Sequence, residues 1–596
     1  MSLCFLTGHP IGTIITTRTI LPPCPALPLN SIISSSGEKP AQSLPSRRST
    51  SSSNAPPILI IPTTKTKQPQ RRAVSSSIPV MVCDVLDQAI NKYMEPPLSP
   101  SMDPNHVLAG NFSPLDELPP TDCPDIDGEV PACLDGAYIR NGPNPQHYPR
   151  GPHHLFDGDG MLHCLRISRG RASLCSRYVR TYKYNLEHEV GSPLVPNFFS
   201  GIRGVAGIAR AAVSITRALT GQLDPRNGFG LANTSLAFFG GRLFALGESD
   251  LPYAIHLSPD DGDITTVGRC DFDKTLSFGM TAHPKTDPDT GETFAFRYTF
   301  VRPFLTYFMF DADGTKLPDV PITSLTRPLF LHDFAITKKY ALFVDIQIGV
   351  RPMNMILKGG HPIGSDPAKV TRIGVLPRYA TDDSQMRWFE VPDFNIVHSI
   401  NAWDDDEEGA IVLIAPNVWP IEHMLASMDL IHCSVEKVRI DLKSGTVSRT
   451  QLSDKNLDMG VVNPAFLTKR NRYAYMGLGE PMPKMSGVVK LDLELGKTVA
   501  TRLYGPGCYG GEPQFVPDVN NDEDEDEGYV VSYVHDEVKG ESRFLVMDSK
   551  SPNLDVVASV KLPRRVPYGF HGLFISEDDL YKRQHPLSIS SSPSSN

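Results

Sequence analysis

Residues 293–310 read TFAFRYTFVRPFLTYFMF and run directly into Asp311-Ala-Asp-Gly314. Aromatic and β-branched side chains dominate the run, and the Asp-Gly pair behind it is a turn signal, so the stretch reads as strand followed by hairpin turn. DADG opens like a calcium loop, but the twelfth position is Ile322, where a bidentate Glu is required; the turn reading stands. The same texture recurs on both sides, at 236–246, 340–346, 410–414, 473–477, 529–534 and 544–547, with further turn signals at Asp157-Gly158, Gly240-Gly241 and Asp261-Gly262. Many strands over roughly 480 residues without alternating long helices favour an all-β closed or radial architecture over a doubly wound α/β fold. A propeller fits this pattern, although no repeated Trp-Asp blade motif is visible.

Two segments break the β texture. Residues 84–94 can form a short amphipathic helix, with Asp84 able to cap it. Residues 197–220 read NFFSGIRGVAGIARAAVSITRALT. Arg203, Arg210 and Arg217 recur every seven residues, nearly on one line of a helix, with Phe198, Phe199, Ile202, Val205 and Ile208 around the remaining surface. Arginines that snorkel from apolar surroundings suit a helix at a lipid interface; a cap helix buried against the sheet is the alternative. Three arginines in one run exclude a membrane span.

The chain has 596 residues, 40% of them apolar, and a formal charge of -10. By length alone about four domains of roughly 150 residues are expected. Ten Cys without a CxxC pair indicate neither a disulfide framework nor a zinc ribbon. The acidic balance argues against a nucleic-acid binder. Residues 1–80 hold 23 Ser or Thr, eight Lys or Arg and one acid, Glu38, leaving about -17 for the rest. Such a leader, with Pro scattered through weak helical pattern, reads as a plastid transit peptide; a plain disordered tail is the alternative. Residues 81–104 read as an N-terminal helical segment, 105–580 as the β body and 581–596 as a disordered tail. The sequons at Asn111 and Asn233 would be unused in a plastid, and the acidic run 522–527 reads as a solvated loop.

No GxxxxGK[ST], GxGxxG, HExxH or GxSxG motif is present, which removes the usual NTPase, dinucleotide, zincin and hydrolase readings. Four of the 17 His stand in apolar or aromatic sequence: His283 in FGMTAHP, His332 in PLFLHDF, His398 in FNIVHSINAW and His571 in YGFHGLF. A buried neutral imidazole needs a hydrogen-bond or metal partner. Taken singly, each fits a satisfied core histidine as well as a ligand. Spacings of 49, 66 and 173 residues are those of ligands drawn from different blades, not of a local metal motif.

A wider pattern joins them. GAYIRNGPNP at 136–145 and HLFDGDGMLH at 154–163, then LFALGESDLPYAI, AHP, FLHDFAIT, HSINAWDD, NPAF with RYAYMGLG, GGEPQFVP and YGFHGLF, resemble the carotenoid cleavage oxygenase family in order along about 480 residues. In detail they look most like its type-four plant, plastoglobule-associated branch. The resemblance implies a seven-bladed β-propeller with a helical dome, its axis holding a non-haem Fe(II) bound by His283, His332, His398 and His571. Imidazole suits iron, and four neutral ligands leave two octahedral positions for O2. The family also holds ligand imidazoles with acids, which fall here on Glu248, Glu512 and Asp458. Many members have Glu at the last position, so Asp458, one methylene shorter, is expected to reach its His through a water or a small backbone shift.

The implied activity is O2-dependent cleavage of a conjugated double bond in a carotenoid or apocarotenoid, at the 9,10 (9′,10′) position, giving a C13 ketone of β-ionone type. Expected with it are a plastid location, a peripheral membrane or plastoglobule surface, no nucleic acid and no obligate protein partner. Alternatives are 9-cis-epoxycarotenoid cleavage, cleavage of a stilbene-like phenylpropanoid, and a non-catalytic carotenoid-binding propeller.

Overall fold

The computed structural model describes residues 78–350, 361–518 and 524–582. The leader read over 1–80 and the tail read over 581–596 fall almost wholly outside them. All described residues belong to one compact unit.

The run that opened the sequence reading is a hairpin. Thr293–Tyr298 and Leu305–Phe310 pair antiparallel from Thr293↔Phe310 to Tyr298↔Leu305. Asp311 then accepts hydrogen bonds from the amides of Asp313 (3.1 Å) and Thr315 (2.8 Å), making DADG a turn. Both faces of the hairpin are buried, which is why its sequence is apolar without alternation. Phe294, Phe296, Leu305 and Tyr307 pack with Phe334 and Phe343 of the following sheet. Ala295, Phe308 and Phe310 pack with Phe239 and Phe244 of the preceding one. Each side chain is thus a wedge between neighbouring sheets, and truncating Phe310 to Ala would cost about 3–5 kcal/mol.

Seven antiparallel sheets of four to six strands repeat this packing around an axis, giving a seven-bladed β-propeller. The blades follow chain order. Their innermost strands are Gly572–Ser576 in blade one, Ser235–Phe239 in two, Lys285–Thr286 in three, Ala335–Ile336 in four, Asn401–Asp405 in five, Leu457–Val461 in six and Cys508–Gly510 in seven. The ring closes twice. C-terminal Gly572–Ser576 pairs with Gly136–Pro143 in blade one, and N-terminal Ile126–Gly128 pairs with Val556–Lys561 in blade seven. Closure ties the first blade to the last, and each blade keeps its outermost strand as an edge. The four domains suggested by length are therefore one propeller.

Both sequons are structural. Asn111 donates to the Val566 carbonyl (2.9 Å) and Asn233 to those of Phe156 (3.1 Å) and Gly158 (2.9 Å). The described part of the acidic run is more tied down than a solvated loop. Glu525 accepts the amides of Arg472 and Tyr473, both at 2.7 Å, and Asp526 is ion-paired with Lys490 at 2.5 Å.

The helices differ from the sequence reading in three ways. First, α1 begins earlier, at Ile78–Ala89, and continues through a wide turn, Ile90–Met94, so Asp84 sits mid-helix and caps nothing. Second, 197–220 is broken into Phe198–Gly201 and α2, Gly204–Leu219. A Cβ on Gly207 would lie 2.5 Å from the Ile202 backbone, so glycine permits this tight fold-back. Third, Arg210 and Arg217 do not snorkel outward. Arg217 pairs with Asp84 (2.7 Å) and Asp87 (2.6 Å), and Arg210 with Glu95, bolting α2 to α1. Arg210 and Arg217 therefore face inward beside the buried Ala206 and Val213, while Val205, Ile208, Ile215 and Leu219 face out.

Candidate metal centre

Each candidate histidine stands one to three residues ahead of an innermost strand, so the fold delivers it to the axis. His283 precedes Lys285–Thr286, His332 precedes Ala335–Ile336, His398 precedes Asn401–Asp405 and His571 precedes Gly572–Ser576. One ring nitrogen from each lies within 4.8 Å of all the others. The Nε2 atoms of His283 and His332 come within 3.0 Å.

The three remaining blades supply the acids. Glu248 of blade two holds His332 Nδ1. Asp458 of blade six holds His398 Nδ1 at 2.9 Å, and Glu512 of blade seven holds His571 Nδ1 at 2.9 Å. Every blade thus contributes one residue: four give an imidazole and three give a carboxylate. Each Nδ1–H donates to its acid, which fixes the tautomer and turns the Nε2 lone pair toward the common point.

Asp458 reaches its histidine directly, with no bridging water required. The pairing of Leu457–Val461 with Tyr473–Leu478 slips between Asp458 and Val461, and Met459 takes a left-handed φ of 54°. The Met459 amide also donates to Asp458 Oδ1 at 2.8 Å. This bulge lies directly beside the Asp458–His398 contact.

Two other acid partners escaped the sequence reading. Tyr298 donates to the second oxygen of Glu248 at 3.0 Å, and Gln514 donates to the second oxygen of Glu512 at 2.8 Å. Tyr298 lies inside the aromatic run 293–310, where nothing in sequence separates it from a core aromatic. Gln514 stands two residues beyond Glu512 in the GGEPQF match, and that proximity was the available signal.

Burial, reinforced by the rings of His571, His332 and His398, holds His283 well below the ordinary imidazole value. Burial also lowers His571, outweighing Glu512. For His398 the balance reverses: burial pushes it down, but the Asp458 charge and hydrogen bond leave it raised, and Asp458 is correspondingly lowered. The donor set is four nitrogens with no carboxylate among them. That set fits a borderline divalent ion such as Fe(II) and does not fit Mg2+ or Ca2+, which take oxygen ligands.

A cavity of about 220 Å3, lined by Met102, Phe199, Ile348, Ile363, Ile421 and Leu425 with His154, His361, Arg203 and Glu422 in its wall, lies outside the histidine ring and shares none of its residues. Ring contacts lead inward from Phe199 to Phe156 (5.3 Å) and on to Phe570 (5.7 Å), the neighbour of His571. Phe198 and Phe199 are half-buried and pack on His361, at 5.6 and 6.2 Å. Ile202 is half-buried as well, whereas Val205 and Ile208 are exposed.

Known proteins share this fold. The family model described as retinal pigment epithelial membrane protein matches residues 111–576. The chain is 63% identical, over 83% of its length and 85% of the relative's, to the probable carotenoid cleavage dioxygenase 4, chloroplastic, of Arabidopsis thaliana. It is 59% identical to the 9-cis-epoxycarotenoid dioxygenase NCED1, chloroplastic, of Oryza sativa subsp. japonica, covering 86% of this chain and 82% of that one. Among solved structures, the lignostilbene dioxygenase of Pseudomonas brassicacearum superposes with a TM-score of 0.68 at 25% identity, covering 80% of this chain and 98% of the other. Cobalt-substituted Synechocystis ACO gives 0.66 at 25% identity, covering 80% and 99%. With a seven-bladed propeller, a histidine ring on its axis and a family model matched across the whole propeller, the chain belongs to the carotenoid cleavage dioxygenase family, that of RPE65.

Proposed function

We propose that His283, His332, His398 and His571 hold Fe(II), and that the protein uses O2 to cleave the 9,10 (9′,10′) double bond of a carotenoid or apocarotenoid, giving a C13 ketone and an apocarotenal. The observation that carries this reading is the division of labour among the blades, four imidazoles and three carboxylates meeting at one point. When bound, the iron supplies O2 activation beside the polyene. The chain's own residues do the rest. Glu248, Asp458 and Glu512 accept the Nδ1 protons, so the ligands are pre-oriented and no reorganisation is required during turnover. The apolar wall at Phe199, Phe156 and Phe570 excludes water and lets a rigid polyene slide until one bond lies within reach. No side chain is needed as a proton donor or acceptor.

The outward face of α1 and α2 supports a lipid-surface site of action. Val205, Ile208, Ile215 and Leu219 on α2 are 43–83% exposed, and Met81, Val82, Val85 and Leu86 on α1 are 44–64% exposed. Two arginines paired inward and eight large apolar side chains left outward suit a monotopic contact with a membrane or plastoglobule better than a water-facing helix pair. No described helix is long and apolar enough to cross a membrane. The chloroplastic designations of two relatives, together with the Ser-rich basic leader, support a plastid location.

A second reading, 9-cis-epoxycarotenoid cleavage, is favoured by the 59% identity to the rice enzyme; the relative named as a 9,10(9′,10′)-cleaving enzyme in Pisum sativum is 40% identical. Mass spectrometry of products from β-carotene, an apocarotenal, a 9-cis-epoxycarotenoid and a hydroxystilbene, each with added Fe(II), separates these readings. A C13 ketone from the first two substrates is expected. Selective cleavage of the epoxycarotenoid to a C15 aldehyde would replace the first reading with the second, and cleavage of the stilbene alone would overturn both.

A further inference from the structure

One of the four histidines lacks the support the others have. His332, His398 and His571 each give Nδ1 to an acid, but among the described residues no carboxylate holds the ring of His283. The groups acting electrostatically on it are the three other imidazoles and Lys285. Its amide donates to Thr281 Oγ1 at 3.0 Å, a contact within its own loop. Something else has to set where this ligand stands relative to the other blades.

A buried polar knot lies immediately beyond the ligands in the chain. Lys285 follows His283 by two residues, Asp333 follows His332 by one, and Ser399 follows His398 by one. Lys285 Nζ is 2.8 Å from Asp333 Oδ1. Asp333 Oδ2 accepts the Ser399 amide at 2.7 Å and lies 2.9 Å from the Ser399 hydroxyl. That hydroxyl is also 2.7 Å from the Phe334 carbonyl. Asp333 is 2% exposed, so its charge is compensated by these partners and not by bulk water. Blades three, four and five, each carrying a ligand, are thereby tied at the level of the metal ring.

We infer that Lys285, Asp333 and Ser399 form a clasp that positions His283 for the metal, doing between blades what a carboxylate does for each of the other three ligands. They are positioning residues: none touches the common point itself. This rests on the proposed iron site. Because the lysine reaches across from blade three, losing it frees the His283 segment while leaving Asp333 tied to Ser399. The centre then keeps three anchored ligands and one loose one, and the metal escapes faster.

The test compares full-length ferrous proteins by the rate at which a ferrous chelator removes iron, and by the electron paramagnetic resonance signal of their nitric oxide adducts, which reads ligand geometry. Lys285→Met and Asp333→Asn are each expected to speed iron release roughly tenfold and to alter the rhombicity of the signal. The double variant should release iron no faster than the faster single one, because both remove the same bond. Lys285→Arg should restore slow release, and the milder Ser399→Ala should fall between. Arg378→Met is the control. It breaks another buried ion pair between blades three and four, to Asp287 at 2.6 Å, away from the ligands, and should lower thermal stability without changing iron release. Release from Lys285→Met and Asp333→Asn at the wild-type rate, or changed only as much as in Arg378→Met, overturns the clasp. A wild-type protein that retains no iron overturns the proposed site instead.

Discussion

His398→Ala is expected to yield a folded propeller that neither retains iron nor cleaves any carotenoid, with turnover lowered on the order of 10³-fold or more. The imidazole is one of four nitrogen donors converging within 4.8 Å, and its loss leaves three ligands and an unpaired Asp458 in a buried site. An uncompensated carboxylate there opposes water-free packing but favours a cation, so Asp458 is expected to rotate toward the vacated position without restoring the nitrogen set. The fold itself should survive, because its cores lie between blades, as in the Phe294–Phe343 and Phe239–Phe310 clusters, and none of them contains the histidine ring. Iron content by emission spectroscopy and product yield together check this. A variant that keeps its iron and its rate would mean that His398 is a satisfied core histidine.

Replacing Val205, Ile208, Ile215 and Leu219 together with Ser should reduce binding to phosphatidylcholine vesicles roughly a thousandfold. Each exposed side chain contributes about 1 kcal/mol when it enters an interface. Folding stability should hardly change, since these residues are already exposed in the folded protein. Raising the salt concentration should leave wild-type binding intact, because Arg210 and Arg217 are consumed by Glu95, Asp84 and Asp87 and offer lipid no charge. Unchanged co-sedimentation of the quadruple variant would overturn the lipid-facing assignment of α2, and salt-induced release of the wild type would overturn its apolar basis.

What the sequence made legible follows from how far apart interacting residues lie. Strands and turns are local, so 293–310 and DADG could be read directly. The four histidines are spread over 288 residues, from His283 to His571, and single imidazoles in apolar sequence carry no sign of their partners; only the family's ordered motifs brought them together. The acids were found in the same way, but their distribution, one for each blade lacking a histidine, is a property of the closed ring. Asp458 shows the limit from the other side. Side-chain length suggested a water or a backbone shift, yet Asp458 meets His398 directly, beside a Met459 bulge that composition does not announce.

The 197–220 segment failed more instructively. Arg210 and Arg217 do share one stripe of α2, because helical period is fixed at 3.6 residues, but Arg203 stands outside the helix with extended backbone. Which way that stripe faces depends on Asp84, Asp87 and Glu95, more than 100 residues upstream, and a buried arginine pairing with them is stabilised only because α1 and α2 pack there. Lys285, Asp333 and Ser399 were invisible for the same reason. Each is an ordinary polar residue close behind its own ligand in the chain, and only the juxtaposition of three blades gives them a shared task.

The central claim is that the histidine ring holds the iron on which carotenoid cleavage depends. Titrating the iron-free full-length protein with Fe(II) under argon, then admitting O2 and a carotenoid substrate, tests it most directly. Product formation should rise linearly to one iron per chain and then level off, with none from the iron-free protein. Cleavage by protein that contains no iron, or a fully loaded protein that leaves every substrate of the panel intact, would contradict it.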